Sequence, residues 1–316
     1  MIFANTFKIT TSRFSIVWKL MLYIFGVYAI MGAITTGFCV PIVRTLQNGG
    51  LFNQIETTMN EFFTNLNVKE LLTGLSGCVS TANNIIVANI SKLTLFFVLI
   101  VLTIVLLCIY VKGFYRMPVE RSIVCFMSSN ANIRFSDAVS IEFGKNCLYN
   151  LVYMFTILPI NVLIILIGIW MCSLFSLGGA FIVLTPIFII VVITVLNSAK
   201  LTLFAGWMPY MLYEDSGVFK ALGGGFRVIR RRFSRVFSSA VCLTLVLIAI
   251  NLVFGVFLFG AGLIITIPLS HLLVSVFNEV SFYSSYGLRY YIDPNNVVAP
   301  RRRKYTENFD RQKYII

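Results

Sequence analysis

Residues 236–283 read VFSSAVCLTLVLIAINLVFGVFLFGAGLIITIPLSHLLVSVFNEVSFY and carry a single formal charge, Glu279. A helix needs roughly 20 predominantly apolar residues to cross a bilayer. This stretch supplies two such runs, Val236–Gly260 and Leu263–Tyr283, joined by a charge-free turn at Gly260–Gly262. A pair of antiparallel spanning helices is the reading that follows. Four further runs meet the same requirement: Phe14–Val40, Leu93–Val111, Leu148–Leu174 and Gly179–Phe204. The expected fold is therefore all-α, a polytopic membrane protein with six transmembrane helices.

Whole-chain composition agrees. Of 316 residues, 58% are apolar and 12% charged, and the mean hydropathy is +0.89. A water-soluble domain does not carry so little charge on so apolar a chain. The 29 Phe and 14 Tyr suit lipid-facing and interfacial positions.

The net charge of +13 is a topology signal before it is a nucleic-acid signal, because Lys and Arg are retained on the cytoplasmic side. Basic residues gather in alternate connections: Lys8 and Arg13 before the first helix; Lys112, Arg116, Arg121, Arg134 and Lys145 between the second and third; and Lys200 through Arg235 around the fourth and fifth. The turns at Ser176–Gly178 and Gly260–Gly262 carry no charge. In the long first loop Arg44, Lys69 and Lys92 are balanced by Glu56, Glu61 and Glu70. Both termini are thereby placed in the cytoplasm, and the expected location is the plasma membrane. The organisation is a six-helix domain over 1–290, with an outer loop at 41–92, cytoplasmic connections at 112–147 and 205–235, and a basic cytoplasmic tail at 291–316. The first run is too long for a cleaved signal peptide, and Phe38 stands before Cys39 where a lipoprotein site needs a small residue. It reads as an uncleaved anchor.

Two stretches outside the spans have helical periodicity. Phe219, Leu222, Phe226, Ile229, Phe233 and Phe237 recur at three- and four-residue steps, with Lys220, Arg227, Arg230, Arg231, Arg232 and Arg235 on the other faces. Such a pattern describes an amphipathic helix in the membrane interface. Those six basic residues are the candidate contacts to anionic lipid headgroups; the alternative is a topogenic cluster whose apolar stripe packs under the bundle. Gly223-Gly224-Gly225 lacks the Lys-Ser or Lys-Thr of a phosphate loop and reads as flexibility near the start of the helix. In the outer loop, Leu51, Ile55, Met59, Phe62 and Leu66 form a second stripe, again an amphipathic helix. Met117-Pro118 and Met208-Pro209 each precede an acidic residue, a Phe–Ala pattern and a spanning helix with Asn161 or Asn251. That pairing suggests repeated units of a surface helix followed by a membrane hairpin.

Chemistry-bearing residues are sparse. The seven cysteines have no metal-ligand spacing; Cys39 and Cys78, both outward-facing, are either a disulfide or two free thiols. His271 is the sole histidine. With Asn161 and Asn251 it makes up the intramembrane polar set, and the expected role is a hydrogen bond between His271 and Asn251, Asn161 or a carbonyl freed by Pro268. Asp, Glu or Lys at mid-membrane would mark an ion path; none is evident, since Lys19, Lys200 and Glu279 lie near cytoplasmic ends where they can snorkel to water. Glu214-Asp215 reads as a salt-bridged helix entrance. Pro159, Pro186 and Pro268 should kink their helices. With no nucleophile, base and orienting group together, no catalytic residue, cofactor or metal is expected, and the chain is read as a non-enzyme.

From Trp207 to Asp293, the motifs Met208-Pro209-Tyr210, Glu214-Asp215 and Phe219-Lys220-Ala221-Leu222, followed by a basic helix and a terminal hairpin, resemble a bacterial family of six-helix membrane proteins. That family is related to the membrane domain of some glycerophosphodiester phosphodiesterases. The resemblance implies the membrane architecture alone, because the phosphodiesterase activity of that family resides in a separate soluble barrel with no counterpart here. Two functions remain open: a non-enzymatic, lipid-interacting or envelope-associated scaffold whose partners are anionic headgroups rather than nucleic acid, or a permease or transporter subunit for an apolar or lipid-like substrate. The permease requires His271 and Asn251 to line a cavity. Neither a protein partner nor an oligomeric state is named by any residue.

Overall fold

A computed structural model of the chain describes residues 2–128, 137–138, 143–176, 185–293 and 296–298. Arg134, Phe135, the turn at 177–178, the start of the fourth apolar run at 179–184 and the cationic tail from Arg301 to Lys313 lie outside the described residues. Within them the chain is overwhelmingly helical, and seven helices are long and apolar enough to cross a membrane. The chain is thus an all-α multi-pass membrane protein. Seven is one more than the six apolar runs of the sequence, and the additional one is Lys69–Ala88, in the expected outer loop. Its apolar residues alternate with Thr73, Ser76, Asn83 and Asn84, which hides the run from a search for unbroken hydrophobicity.

Contacts divide the chain into two units, Met1–Phe25 with Gly113–Ile316, and Gly26–Lys112. The second contains most of α2 (Ser15–Asn48), then α3 (Leu51–Asn65), α4 (Val68–Ala88) and α5 (Ile90–Ile104). Helices α3 and α4 form a tight hairpin. Leu66 turns the chain in the left-handed region, and Asn67 caps α4 by accepting from the Lys69 N–H at 3.1 Å, one of the donors a helix start leaves unpaired. The stripe expected over Leu51–Leu66 is present at Leu51, Ile55, Met59 and Phe62, with Thr58 buried among them, but Leu66 is exposed. Cys39 and Cys78 are free thiols, and Cys78 lies against the Thr58 hydroxyl.

After α5 the helical phase changes through a π turn at Val105–Tyr110 and a 3-10 turn at Val111–Tyr115. The first unit then contains α6 (Arg116–Met127), α7 (Phe143–Ser176), α8 (Thr185–Phe204), α9 (Trp207–Tyr213), α10 (Val218–Arg230), α11 (Phe233–Phe257) and α12 (Leu263–Tyr286), together with α1 (Ile2–Ser12). Helix α12 is the axis of this unit: α1, α6, α9, α10 and α11 all pack on it, and Leu272, Leu273, Val276, Phe277, Val280 and Phe282 are buried there. It stops where Gly287 adopts φ +86 and donates its N–H to the Tyr283 carbonyl, the left-handed cap that only glycine enters without strain.

Helix α1 buries Ile2, Asn5, Thr6, Ile9 and Thr10, a single helical face. Its buried hydroxyls return to the backbone, Thr6 to the Ile2 carbonyl and Thr10 to the Thr6 carbonyl, so no polar group is left bare. Asn5 donates to the Tyr290 hydroxyl at 2.8 Å, and burial pushes the Tyr290 phenol up even though the Asn5 bond acts the other way. Tyr290 opens a short antiparallel hairpin, β1 (Tyr290–Asp293) with β2 (Asn296–Val298). Rather than becoming a free tail at residue 291, the chain first folds back on α1 and α6.

The triple glycine lies inside the helix, in α10, and what Gly224 and Gly225 provide there is close approach rather than flexibility. A Cβ on Gly224 would strike the Tyr210 ring, and one on Gly225 would strike the Gly206 carbonyl. Around that contact Trp207 donates to the Val218 carbonyl at 2.9 Å and stacks among Tyr149, Tyr153 and Phe204. Gly223 faces open space. Accordingly Gly225→Ala should lower stability by about 1–3 kcal/mol through overpacking, whereas Gly223→Ala should raise it by about 0.5–1 kcal/mol by removing backbone freedom. Thermal unfolding of the two variants in detergent checks the opposite signs.

Candidate functional site

Two groups of polar residues stand out in the first unit, one exposed and one enclosed.

The exposed group is the predicted basic cluster. Lys220, Arg227, Arg230, Arg231, Arg232 and Arg235 are all exposed, and among the described residues none forms an ion pair; the neighbouring Asp215 pairs instead with Lys145. Their setting departs from the single long helix expected. Helix α10 ends at Arg230 and the spanning helix α11 starts at Phe233, so the arginines crowd a break. The buried face of α10 is Val218, Ala221, Gly225, Val228 and Ile229. Phe219, at 69% exposure, Phe226 and Phe233 point outward. Phenylalanine spacing misled the reading because the smaller residues are the ones that fit beneath Gly206 and α12. Arg230, Arg231, Arg232 and Arg235, with Ser234, Ser238 and Ser239, line an open concavity at the α11 N-terminus, which has no side-chain cap. The unpaired N–H groups of a helix start add partial positive charge to that of the arginines.

The enclosed group lines a cavity of about 500 Å³ between α6, α7, α8, α11 and α12. Its polar lining includes Arg116, Glu120, Lys200, Asn251, His271 and Asn278; Ile157, Ile193, Leu201 and Ile248 supply apolar wall. On α12 the residues His271, Val274, Ser275 and Asn278 fall at steps of three and four, so one helical face looks into it. Arg116 is stacked 3.9 Å above the Tyr153 ring and donates to Asn150 Oδ1 at 3.5 Å. Glu120 is 3% exposed and accepts from Asn278 Nδ2 at 3.2 Å. Lys200 donates to Asn161 Oδ1 at 2.8 Å and to Asn197 Oδ1 at 2.9 Å.

This arrangement revises several sequence expectations. His271 and Asn251 line the same cavity but do not bond each other: the Asn251 amide donates to the Leu247 carbonyl and Ser270 Oγ, its Oδ1 has no hydrogen-bond partner among the described residues, and the His271 ring lies 5.1 Å from that of Tyr115. Asn161 belongs to Lys200. Lys19 is exposed as expected, but Glu279 does not snorkel. It is 0% exposed, both its carboxylate oxygens lack a hydrogen-bond partner among the described residues, and it is close enough to Glu120 for their charges to interact. Arg116 and Glu120, assigned to a cytoplasmic connection, are interior residues. The available signal was the helical spacing of Met117, Glu120, Ile123, Val124 and Met127, all buried. Glu214 and Asp215 do anchor the α9–α10 connection, Glu214 accepting from the Tyr286 hydroxyl at 2.8 Å and Asp215 pairing with Lys145. Among the described residues no three His, Cys, Asp or Glu side chains gather as a metal site.

Compared with family models, with characterised proteins and with solved structures, the chain matches none.

Arg116 holds its surroundings more than Glu120 does, since Tyr153 and Asn150 still hold the guanidinium when the carboxylate is gone, whereas loss of Arg116 takes the cation from both and leaves Arg121 as the remaining basic residue of α6. A desolvated cation–π contact is worth about 2 kcal/mol and a hydrogen bond from a charged group about 1.5–3 kcal/mol. Arg116→Met should therefore lower unfolding stability by about 2–4 kcal/mol, and Glu120→Gln, which keeps the Asn278 bond, by much less. Chemical unfolding in mixed micelles separates the two.

Proposed function

We propose that this protein is a non-enzymatic plasma-membrane protein that engages anionic lipid headgroups through the basic collar at the α10–α11 break. The single observation behind this reading is that six exposed cations, none in an ion pair among the described residues, lie on or just beyond α10, and four of them crowd the break where it meets α11. Loop arginines that only set topology can sit anywhere in a cytoplasmic connection. Those four, Arg230, Arg231, Arg232 and Arg235, line one concavity with three serines and an uncapped helix start, which together suit a phosphate. Partners are accordingly lipids and not nucleic acid, because the cations are gathered at a membrane seam.

The topology that goes with this reading has six spans, α2, α5, α7, α8, α11 and α12, with both termini cytoplasmic. The α3–α4 hairpin then stays on the outer face, consistent with the Asn and Thr content of α4. A relationship of Trp207–Asp293 to the membrane domains of glycerophosphodiester phosphodiesterases belongs to the same proposal. The cavity favours a second reading, a permease or transporter subunit for a lipid-like substrate.

Each cation near an anionic leaflet contributes about 1 kcal/mol, so the triple variant R230Q/R231Q/R232Q should bind vesicles containing phosphatidylglycerol about a hundredfold more weakly at low salt. Co-flotation of the purified protein with such vesicles measures this. Undiminished association of a correctly folded triple variant would refute the collar.

A further inference from the structure

We infer that the cavity between α6, α7, α8, α11 and α12 is a binding site for a zwitterionic head, one that carries an ammonium and an anionic group on the same molecule. Neither the collar nor any direction of transport is needed for this, because the residues that carry it lie inside the bundle.

The lining is deficient in donors at one set of atoms and rich in cations at another. Glu120 Oε2, Asn251 Oδ1 and Asn278 Oδ1 are buried acceptors without a hydrogen-bond partner among the described residues, and all three residues line the cavity. Buried acceptors in hydrocarbon are costly to leave unpaired. An ammonium has three N–H donors and no acceptor, so it complements a lining whose unpaired atoms are oxygens, one of them on a carboxylate. Arg116 and Lys200 supply the opposite need. Lys200 uses two of its three donors on Asn161 and Asn197, and both neighbours are neutral amides, which orient the cation without neutralising it. Two cations and one carboxylate thus line one space, and a ligand bearing both signs meets them together. A purely anionic ligand would leave Glu120 facing like charge; a purely cationic one would confront Arg116 and Lys200.

Size and wall chemistry fit as well. Small-molecule pockets run to roughly 300–1,000 Å³, and the cavity of about 500 Å³ falls inside that range. Isoleucine and leucine on three of its five helices give an apolar flank where an acyl or alkyl portion can lie. Two sources present the required head: a zwitterionic phospholipid such as phosphatidylethanolamine, and a water-soluble solute such as O-phosphoethanolamine.

The test uses the full chain, purified in detergent, stripped of lipid and offered phosphatidylethanolamine, phosphatidylglycerol or O-phosphoethanolamine at equal concentration, with occupancy read by native mass spectrometry. In the R230Q/R231Q/R232Q background, which removes the collar's own phosphatidylglycerol, the protein should prefer phosphatidylethanolamine to phosphatidylglycerol by about tenfold or more, the discrimination expected when a charged acceptor meets its donor. Glu120→Gln should remove that preference, and Lys200→Gln should weaken phosphatidylethanolamine by a similar factor; the second variant keeps the test open if the first does not fold. R230Q/R231Q/R232Q should lose phosphatidylglycerol and keep phosphatidylethanolamine, so a failed collar and a failed cavity give different patterns. Competition by O-phosphoethanolamine assigns the site to a free solute, and its absence assigns it to the lipid; either supports the inference. Equal occupancy by both lipids in that triple-variant background, an unchanged preference when Glu120→Gln or Lys200→Gln is added to it, or an experimental map with only water against Glu120, Asn251 and Asn278 would overturn it.

Discussion

A carboxyl group cannot be left bare in hydrocarbon, and helix α12 brings one to the centre of this molecule. Along Leu263–Tyr286 the chain carries His271, Ser275, Asn278 and Glu279, too many polar groups for a helix that faces lipid. The consequence is architectural: α12 must be surrounded by protein. Helices α1, α6, α9, α10 and α11 surround it, and all but α11 are short pieces that cannot cross a bilayer by themselves. Such short helices would gain little from lipid alone. Their role is to give α12 a polar and apolar lining that lipid does not provide, with Asn278 bonded to Glu120 of α6 and Asn251 of α11 bonded to Ser270.

Holding short helices that close requires small residues, because helices in a membrane are drawn together by van der Waals contact rather than by the exclusion of water. Gly206 and Gly225 bring α9 and α10 into backbone contact, and the Trp207 cluster fills the space beside it. The same close fit orients the break at Arg231–Arg232, so the collar is a by-product of how α10 is seated. Both Met-Pro pairs of the sequence take the second and third residues of a short buried helix, α6 and α9, where proline does not interrupt intrahelical bonds.

Much of the fold was legible because the bilayer imposes a length and a polarity on anything that spans it. Val236–Gly260 and Leu263–Tyr283 differ from α11 and α12 only by a few residues at their ends. Legibility failed where protein, not lipid or water, is the surrounding medium. Lys69–Ala88, little of which is buried, was missed for another reason: its polar residues dilute its hydropathy. Glu120 was placed in the cytoplasmic connection 112–147, and Glu279 was read as a snorkelling residue because it falls near a helix end. A linear rule that sorts charge into water and apolar residues into lipid has no category for a charge enclosed by neighbouring helices. Phe219 and Phe226 show the reverse error, large apolar residues on the outside of a helix whose packing face needs glycine and alanine.

The cations illustrate how little a net charge says by itself. Arg116 and Arg231 are the same residue type in connections that look alike in sequence, yet one is stacked on Tyr153 with an amide oxygen at hydrogen-bond distance and the other stands in the open beside three further arginines. In the interior the guanidinium is already partly neutralised by aromatic faces and amide oxygens, so it can tolerate desolvation and still attract an anion over a short range. At the surface it is screened by salt and contributes mainly through numbers. On the proposed reading, selectivity between anionic and zwitterionic ligands would come from the interior set, where a single carboxylate such as Glu120 changes the sign of what is accepted; an exterior set of cations alone can only gather negative charge.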